Sequence, residues 1–161
     1  MHRNKFYILG KTNNDVTRMR NARSAYGAAT RVHNFISLFS GAMGLDLGLE
    51  MSGLAPCGCL ELDKWACATI RKNRPNLPLI EDDIRKWNGK RLMERFGLSQ
   101  EVSVIVGGPP CPSFSTAGRR QSFNDPRGEV MFDFLRIVKE LRPAFFVMEN
   151  VRGILSASIK H

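Results

Sequence analysis

The sequence has no long apolar run and few of the residues that build disulfide or metal frameworks. No apolar stretch approaches the roughly 20 residues that a membrane-spanning helix needs, and the N-terminus lacks the apolar core of a secretory signal. There are only four cysteines and three histidines, and the histidines lie far from the cysteine-bearing segment 57–67. Because a structural zinc site needs four ligands at workable spacing, no metal site is predicted. The cysteines at 57–67 are interpreted as small buried side chains in a reducing cytoplasm.

Acidic residues are scarce relative to basic ones. The chain of 161 residues has 24 Lys and Arg against 15 Asp and Glu, a net charge of +9, which favours a polyanionic partner, nucleic acid before an anionic membrane surface. Residues 1–33 hold seven basic residues against Asp15, so +6 of the +9 lies there. We interpret 1–33 as a basic N-terminal extension, either a phosphate-contacting arm or a solvated leader. Residues 34–161 are expected to form one domain.

From Phe35 onward, short apolar segments alternate with segments of helical periodicity. Strands are predicted at 35–39, 57–60, 77–80, 102–106 and 144–148, and helices at 45–51, 64–73, 89–96 and 128–141. Asp63 is the predicted N-cap of the second helix, and Gly97 ends the third. This alternation predicts an α/β fold with a parallel, doubly wound sheet of about five strands.

Three signals at predicted strand ends suggest a cofactor that contains adenosine. Segment 39–44 (FSGAMG) is a glycine turn between a strand and a helix, of the kind that lets a ligand approach backbone amides. Glu61 follows the second strand, where a carboxylate suits the hydroxyls of a ribose. Asp83 follows the third strand and could accept a hydrogen bond from an adenine amino group. Each signal alone is weak, but the three occur in succession.

Two further strand ends could carry chemistry. The fourth strand runs into segment 107–110 (GGPP), whose prolines restrict the backbone where Cys111 emerges. Glu149 and Asn150 follow the fifth strand. Because parallel strands end at one edge of a sheet, Cys111 and Glu149 are expected to share that edge. The loop 107–127, rich in hydroxyl, amide and guanidinium groups, is long enough to be a functional lid that contacts phosphates.

These blocks together resemble the first half of the DNA (cytosine-5)-methyltransferases. The matching motifs, in order over about 34–156, are Phe-Ser-Gly-x-x-Gly, Glu-Leu-Asp, Asp-Ile, Gly-Gly-Pro-Pro-Cys-Pro-x-Phe-Ser, Asp-Pro-Arg-Gly and Met-Glu-Asn-Val. The resemblance implies a Rossmann-like, S-adenosyl-L-methionine-dependent methyltransferase fold and that cofactor. The implied cofactor-binding residues are Phe39, Gly41, Ala42, Met43, Gly44, Glu61, Leu62, Asp83, Ile84 and Pro109. Met43 stands where many relatives have glycine, and Ser37 where many have aspartate.

The resemblance also implies a reaction, typical of bacterial restriction-modification systems. Cys111 would add to carbon 6 of cytosine in DNA, which makes carbon 5 nucleophilic enough to accept a methyl group, and Glu149 would engage the ring at N3. Enzymes of this kind flip the target base out of the duplex. The implied DNA-contacting loop residues are Ser115, Arg119 and Arg127, and the implied supporting residues are Pro110, Asn150 and Val151.

Full-length relatives carry a target-recognition region that has no counterpart here. Residues 34–161 are therefore interpreted as a partial methyltransferase catalytic domain, truncated or split, with double-stranded DNA as its partner and a complementing C-terminal subunit as a candidate second partner. The expected location is the bacterial cytoplasm, beside the nucleoid. Two alternatives stay open: an inactive remnant that binds cofactor or nucleic acid, and a relative that methylates cytosine in transfer RNA.

Overall fold

The computed structural model describes residues 33–99, 101–110 and 126–151, with side chains from 130 onward in the last range. These residues form a five-stranded sheet in the order β3-β2-β1-β4-β5, in which every neighbouring pair of strands is parallel. The strands are β1 (Asn34–Leu38), β2 (Ala55–Glu61), β3 (Leu79–Glu81), β4 (Val104–Gly107) and β5 (Phe145–Met148). The helices of the described ranges are α1 (Gly44–Met51), α2 (Lys64–Asn73), α3 (Gly89–Arg95) and α4 (Pro126–Leu141). The predicted α/β fold with a parallel, doubly wound sheet is confirmed.

Both faces of the sheet are apolar and covered by helices, as in other parallel sheets. On one face, Phe35 and Val104 pack with Leu45 and Leu49 of α1, and Ile70 of α2 packs with Cys59. The opposite face packs against α3 and α4 through Ile36, Ile105, Leu92, Phe134 and Ile137. None of the helices in the described ranges is long and apolar enough to cross a membrane.

The register of the sheet brings the strand ends into line. Leu38, at the end of β1, pairs with Leu60 on one side and Gly107 on the other. Gly107 in turn pairs with Met148 of β5. Strand order reverses between β1 and β4, and the crevice at such a switch point is where open α/β sheets bind ligands.

The observed bounds of several strands and helices differ from the predicted bounds by one or a few residues. Helix α2 has the predicted bounds, and its N-cap Asp63 accepts hydrogen bonds from the amides of Trp65 and Ala66. Strand β2 is longer than predicted and contains an irregularity, since Phe35 pairs with Pro56 and the next residue of β1 pairs with Gly58. Strand β3 begins two residues later than predicted, and a 3-10 turn at Ile84–Lys86 was not predicted. Helix α4 begins two residues earlier, at Pro126.

Candidate active site

The glycine turn after β1 is held in an unusual backbone conformation. Phe39, Gly41 and Met43 have positive φ angles of 56°, 52° and 67°, a left-handed region in which only glycine is free of steric cost. The Met43 amide donates to the carbonyl of Ser40 at 2.8 Å, which closes the turn. Helix α1 then begins at Gly44. The turn therefore redirects the chain within five residues of the end of the central strand.

The turn is open toward solvent on the side where a ligand could approach. A β-carbon built on Gly41 or Gly44 would meet no atom within 4 Å, and Ala42 is exposed. No described residue accepts a hydrogen bond from the amides of Gly44 and Leu45 at the start of α1. A helix N-terminus with free amides favours polar or anionic groups. Met43 differs from its neighbours, because its side chain is 3% exposed and packs with Cys59 and Ile70.

Glu61 connects the end of β2 to this turn. Its Oε2 accepts a hydrogen bond of 2.7 Å from the amide of Gly41. Its Oε1 accepts bonds of 2.8 Å from the amides of both Leu62 and Asp63. The carboxylate lies at the edge of the sheet, where the sequence analysis expected it. The three backbone amides that bond to it were not predicted.

Apolar surface adjoins Glu61. Leu62, an implied adenine contact, is 62% exposed, and Trp65, which the sequence analysis did not select, is 72% exposed. The ammonium of Lys64 lies 5.0 Å from the centroid of the Trp65 ring, at a distance typical of cation–π contacts. Exposed large apolar side chains offer surface that suits an aromatic ligand.

The carboxylate of Asp83 is engaged with its own neighbours. It caps the 3-10 turn by accepting from the amide of Arg85 at 3.0 Å, and it also forms an ion pair with the Arg85 guanidinium. That guanidinium lowers the pKa of Asp83. The side chain of Ile84 is buried in the core, and its carbonyl accepts hydrogen bonds from the Trp87 amide and the Arg136 guanidinium.

The adjacent Asp82 is also hydrogen-bonded locally. Bonds from the Lys86 ammonium, the Asp83 amide and the Trp87 indole lower the pKa of Asp82 to about 2. It is therefore ionised across the physiological range. Both acids after β3 thus stabilise the loop in which they lie.

Strands β4 and β5 end side by side, as predicted. The amide of Glu149 donates to the carbonyl of Gly107 at 2.9 Å. Gly108 lies directly beneath the Glu149 carboxyl, because a β-carbon on Gly108 would be 3.2 Å from Glu149 Oε2. Pro109 is buried and Pro110 is exposed. None of the described residues donates a hydrogen bond to the Glu149 carboxyl.

Asn150 links the two strand ends. Its Nδ2 donates to the carbonyl of Pro109 at 3.2 Å, and its Oδ1 accepts from the amide of Val151 at 2.8 Å. The amide side chain thus ties the residues after β5 to the turn that precedes Cys111. Cys111, Ser115 and Arg119 lie outside the described residues, as does the side chain of Arg127, whose backbone is in α4.

A buried polar group beneath the glycine turn was missed by the sequence analysis. Asp46 of α1 is 1% exposed, and the Ser37 side chain partly offsets the effect of burial on the pKa of its carboxyl. Burial is the main cause that raises the pKa of Asp46. Glu50, one helical turn on, bonds to Arg74 at 2.6 Å. Asp46 Oδ1 and Glu50 Oε1 are buried without a hydrogen-bond partner in the described part of the chain.

Comparison with known sequences gives several related proteins. The chain is 44% identical over 124 residues to the type II methyltransferase M.AquIA of Picosynechococcus, and the match covers 76% of this chain and 50% of that protein. It is 45% identical over 121 residues to M.NgoPII of Neisseria gonorrhoeae, covering 75% of this chain and 34% of that protein. The chain thus spans half or less of the length of these curated relatives.

Solved structures show the same fold. A protein assigned as a DNA modification methyltransferase, encoded within an Escherichia coli prophage, matches with a TM-score of 0.67 and 35% identity, over 76% of this chain and 33% of that one. A triple mutant of Spodoptera frugiperda DNMT2 matches with a TM-score of 0.60 at 24% identity, over 78% of this chain and 38% of that one, which concerns the fold alone. The sequence model of the C-5 cytosine-specific DNA methylases matches residues 33–161. By that match, over most of its length, this chain belongs to the C-5 cytosine-specific DNA methylase family.

Proposed function

We propose that the chain carries the cofactor-binding and nucleophile-bearing part of an enzyme that methylates carbon 5 of cytosine in DNA. The observation that carries the proposal is the register of the sheet. It aligns the glycine turn, Glu61, the turn that precedes Cys111, and Glu149 at one edge. A nucleophile and a ring-engaging acid on adjacent strand ends can act on one base, while a cofactor lies across the switch point.

The described residues suit S-adenosyl-L-methionine. Glu61 keeps acceptor capacity for a ribose hydroxyl, the exposed Leu62 offers apolar surface to adenine, and the open turn at Gly41 allows close approach of a ligand. The sulfonium cofactor, when bound, supplies an electrophilic methyl group. Asp83 is less suited than the sequence predicted, because its carboxylate already bonds to Arg85. We therefore assign it a loop-shaping role beside the adenine site.

Cys111 and Glu149 would act on the cytosine ring. Cys111 would add as a thiolate to carbon 6, since carbon 5 of cytosine is too weak a nucleophile by itself, and would leave after the carbon 5 proton is removed. One oxygen of the Glu149 carboxyl, carrying a proton, would donate to N3, and the other would accept from the adjacent amino group, which fixes the ring. Asn150 would hold the turn before Cys111 through Pro109. Ser115, Arg119 and Arg127 would contact the DNA backbone.

The substrate would be double-stranded DNA in the bacterial cytoplasm. We expect sequence-specific methylation to require the portion that the longer relatives possess in addition, whether on this polypeptide or on a complementing subunit. Site-specific methylation of duplex DNA by the purified 161-residue chain would contradict this expectation.

Two measurements test the proposal. The first is calorimetric titration of the folded chain with S-adenosyl-L-methionine, for which we expect binding. The second is covalent trapping of a single-stranded oligonucleotide that carries 5-fluorocytosine, a substrate that needs no base flipping and whose carbon 5 lacks a removable proton. We expect trapping that depends on the cofactor, is abolished in Cys111→Ala and is reduced in Glu149→Gln.

Cys57→Ala is the matched control, since Cys57 is a half-buried cysteine of β2 away from the sheet edge. It should trap the oligonucleotide as the natural chain does. A folded chain that binds no S-adenosyl-L-methionine, or a Cys111→Ala variant that still traps, would refute the proposal. Preference for an RNA oligonucleotide of the same sequence would favour an RNA-methylating relative.

A further inference from the structure

We propose that Glu61 is a positioning residue that fixes the shape of the glycine turn before any ligand binds. This positioning role does not depend on a contact between Glu61 and ribose. Only the statement that the turn binds the cofactor rests on the function proposed above. The carboxylate lies at the end of β2, is 9% exposed, and reaches across to the turn that follows β1.

The three hydrogen bonds of Glu61 divide between its two oxygens. Oε1 accepts from the amides of Leu62 and Asp63, the next two residues in the chain, and these bonds set the orientation of the carboxylate. Oε2 then points to Gly41, 20 positions earlier in sequence, at 2.7 Å. Bonds to an ionised acceptor are shorter and stronger than bonds between neutral groups. The Gly41 bond therefore acts as a cross-link between two strand ends.

The turn needs such a cross-link because its backbone is costly. Two residues with side chains, Phe39 and Met43, have positive φ angles on either side of Gly41. Conformations of this kind persist only when their surroundings determine them. The amides of Phe39 and Met43 bond to backbone carbonyls, but no described carbonyl accepts from the amide of Gly41. Glu61 is the group that holds the centre of the turn.

The same geometry limits how Glu61 can engage a ribose. A carboxylate has about four lone-pair positions, and both positions of Oε1 and one position of Oε2 are occupied by backbone amides. One position on Oε2 remains. Glu61 can therefore accept one ribose hydroxyl without releasing the turn.

Amide hydrogen exchange of the ligand-free chain tests the positioning role directly. In Glu61→Gln, the side-chain oxygen can accept from the amides of Leu62 and Asp63, but the side-chain NH2 group then faces the Gly41 N–H. Two donors face each other, so the bond to Gly41 is lost. In Glu61→Asp, the charge is kept but the carboxylate is one methylene short of Gly41. We expect the protection of the Gly41 amide to fall at least about tenfold in both variants, the effect of losing one hydrogen bond to a charged group.

The matched control is Glu81→Gln. Glu81 pairs with Glu61 in the register of the sheet, but its carboxylate bonds to the Arg71 guanidinium on the surface. Gly41 protection in this variant should stay within twofold of the natural chain, and protection of Ile36 in β1 should be unchanged in all three variants.

Gly41 protection that stays within threefold in Glu61→Gln would overturn the proposal. The proposal would also be overturned if the Gly41 amide of the natural chain exchanged as fast as in an unfolded peptide. This measurement needs no variant, so it remains decisive even if both variants fail to fold. The exchange experiment uses no ligand, so its result is independent of cofactor binding. If the chain binds no S-adenosyl-L-methionine but protection of the Gly41 amide still depends on Glu61, the proposed function is refuted and the positioning role of Glu61 stands.

Discussion

Replacing Gly107 with alanine would place a β-carbon 2.3 Å from the carbonyl oxygen of Leu38. The same atom would lie 2.9 Å from Cε2 of Phe134. Gly107 is the last residue of β4, and Leu38 is its register partner in the central strand β1. A side chain could rotate away, but a backbone carbonyl of the central strand cannot. The two strands would have to separate by about 1 Å, since carbon and oxygen atoms normally approach no closer than about 3.2 Å.

We expect Gly107→Ala to lower the free energy of unfolding by about 3 kcal/mol, the upper part of the range for overpacking. For a chain of this size, that corresponds to a fall of about 6 to 12 °C in the melting temperature. Urea denaturation and a thermal scan followed by circular dichroism would measure both quantities.

Gly48→Ala is the matched control. Gly48 lies within α1, and a β-carbon there would meet no atom within 4 Å. Alanine is favoured over glycine in a helix by about 1 kcal/mol, so the melting temperature should rise. A Gly107→Ala protein that melts within about 2 °C of the natural chain would refute the account of strand packing at the switch point.

Three further predictions concern the residues around the site. Asp46→Asn should remove part of the pH dependence of stability. Burial raises the pKa of Asp46 above its ordinary value of 3.8. The protonated Asp46 therefore contributes its full stabilisation below pH 3.8, and that stabilisation is lost as the pH rises through the raised pKa of the folded state. Urea denaturation at pH 4.5 and 7.5 should show that the variant gains stability over the natural chain at the higher pH. Gly108→Ala should push the Glu149 carboxyl from its position and lower the trapping yield by about tenfold or more. Asn150→Ala should cost about 1 kcal/mol in urea denaturation and slow trapping, because the bond to Pro109 is lost.

Each of these predictions has its own control. An equal stability difference at both pH values would contradict the account of Asp46. Gly48→Ala, which adds the same methyl group away from the site, should leave the trapping yield unchanged. Asn150→Asp keeps the acceptor for the Val151 amide but loses the donor to Pro109, so it should slow trapping as Asn150→Ala does; trapping at the natural rate would show that the Pro109 bond is dispensable.

The parallel sheet and the shared edge of the site could be predicted because they follow from local patterns. Apolar segments of four to five residues alternate with helical periodicity, and Asp63 caps α2 as its sequence position suggests. Glycine turns and acids at strand ends then fall at one edge, since all strands are parallel. The irregularity between β1 and β2 was not predictable, because it depends on pairing between strands.

The hydrogen-bond partner of Glu61 could not be predicted from the sequence, because Glu61 bonds to Gly41 across 20 positions of the chain. The resemblance implied a supporting role for Asn150, and the structure adds its partner, the Pro109 carbonyl 41 positions earlier. Asp46 gave a weak signal, since it interrupts the apolar face of a short helix opposite Ser37, a hydroxyl within an otherwise apolar strand. The bonds from the Arg85 guanidinium to the Asp83 carboxylate, two residues away, were also not predicted.

The left-handed conformation of Met43 has a consequence for which sequences this turn can tolerate. Glycine at this position would release about 1 to 2 kcal/mol of steric cost, but it would forfeit about 1.5 to 3 kcal/mol from a methionine side chain that is 3% exposed. The two contributions nearly cancel. Exchange between methionine and glycine here should therefore be close to neutral for folding, whereas a β-branched residue such as valine would bear the backbone cost without filling the same volume. Variation at position 43 would then be limited by the shape of the core beneath the turn.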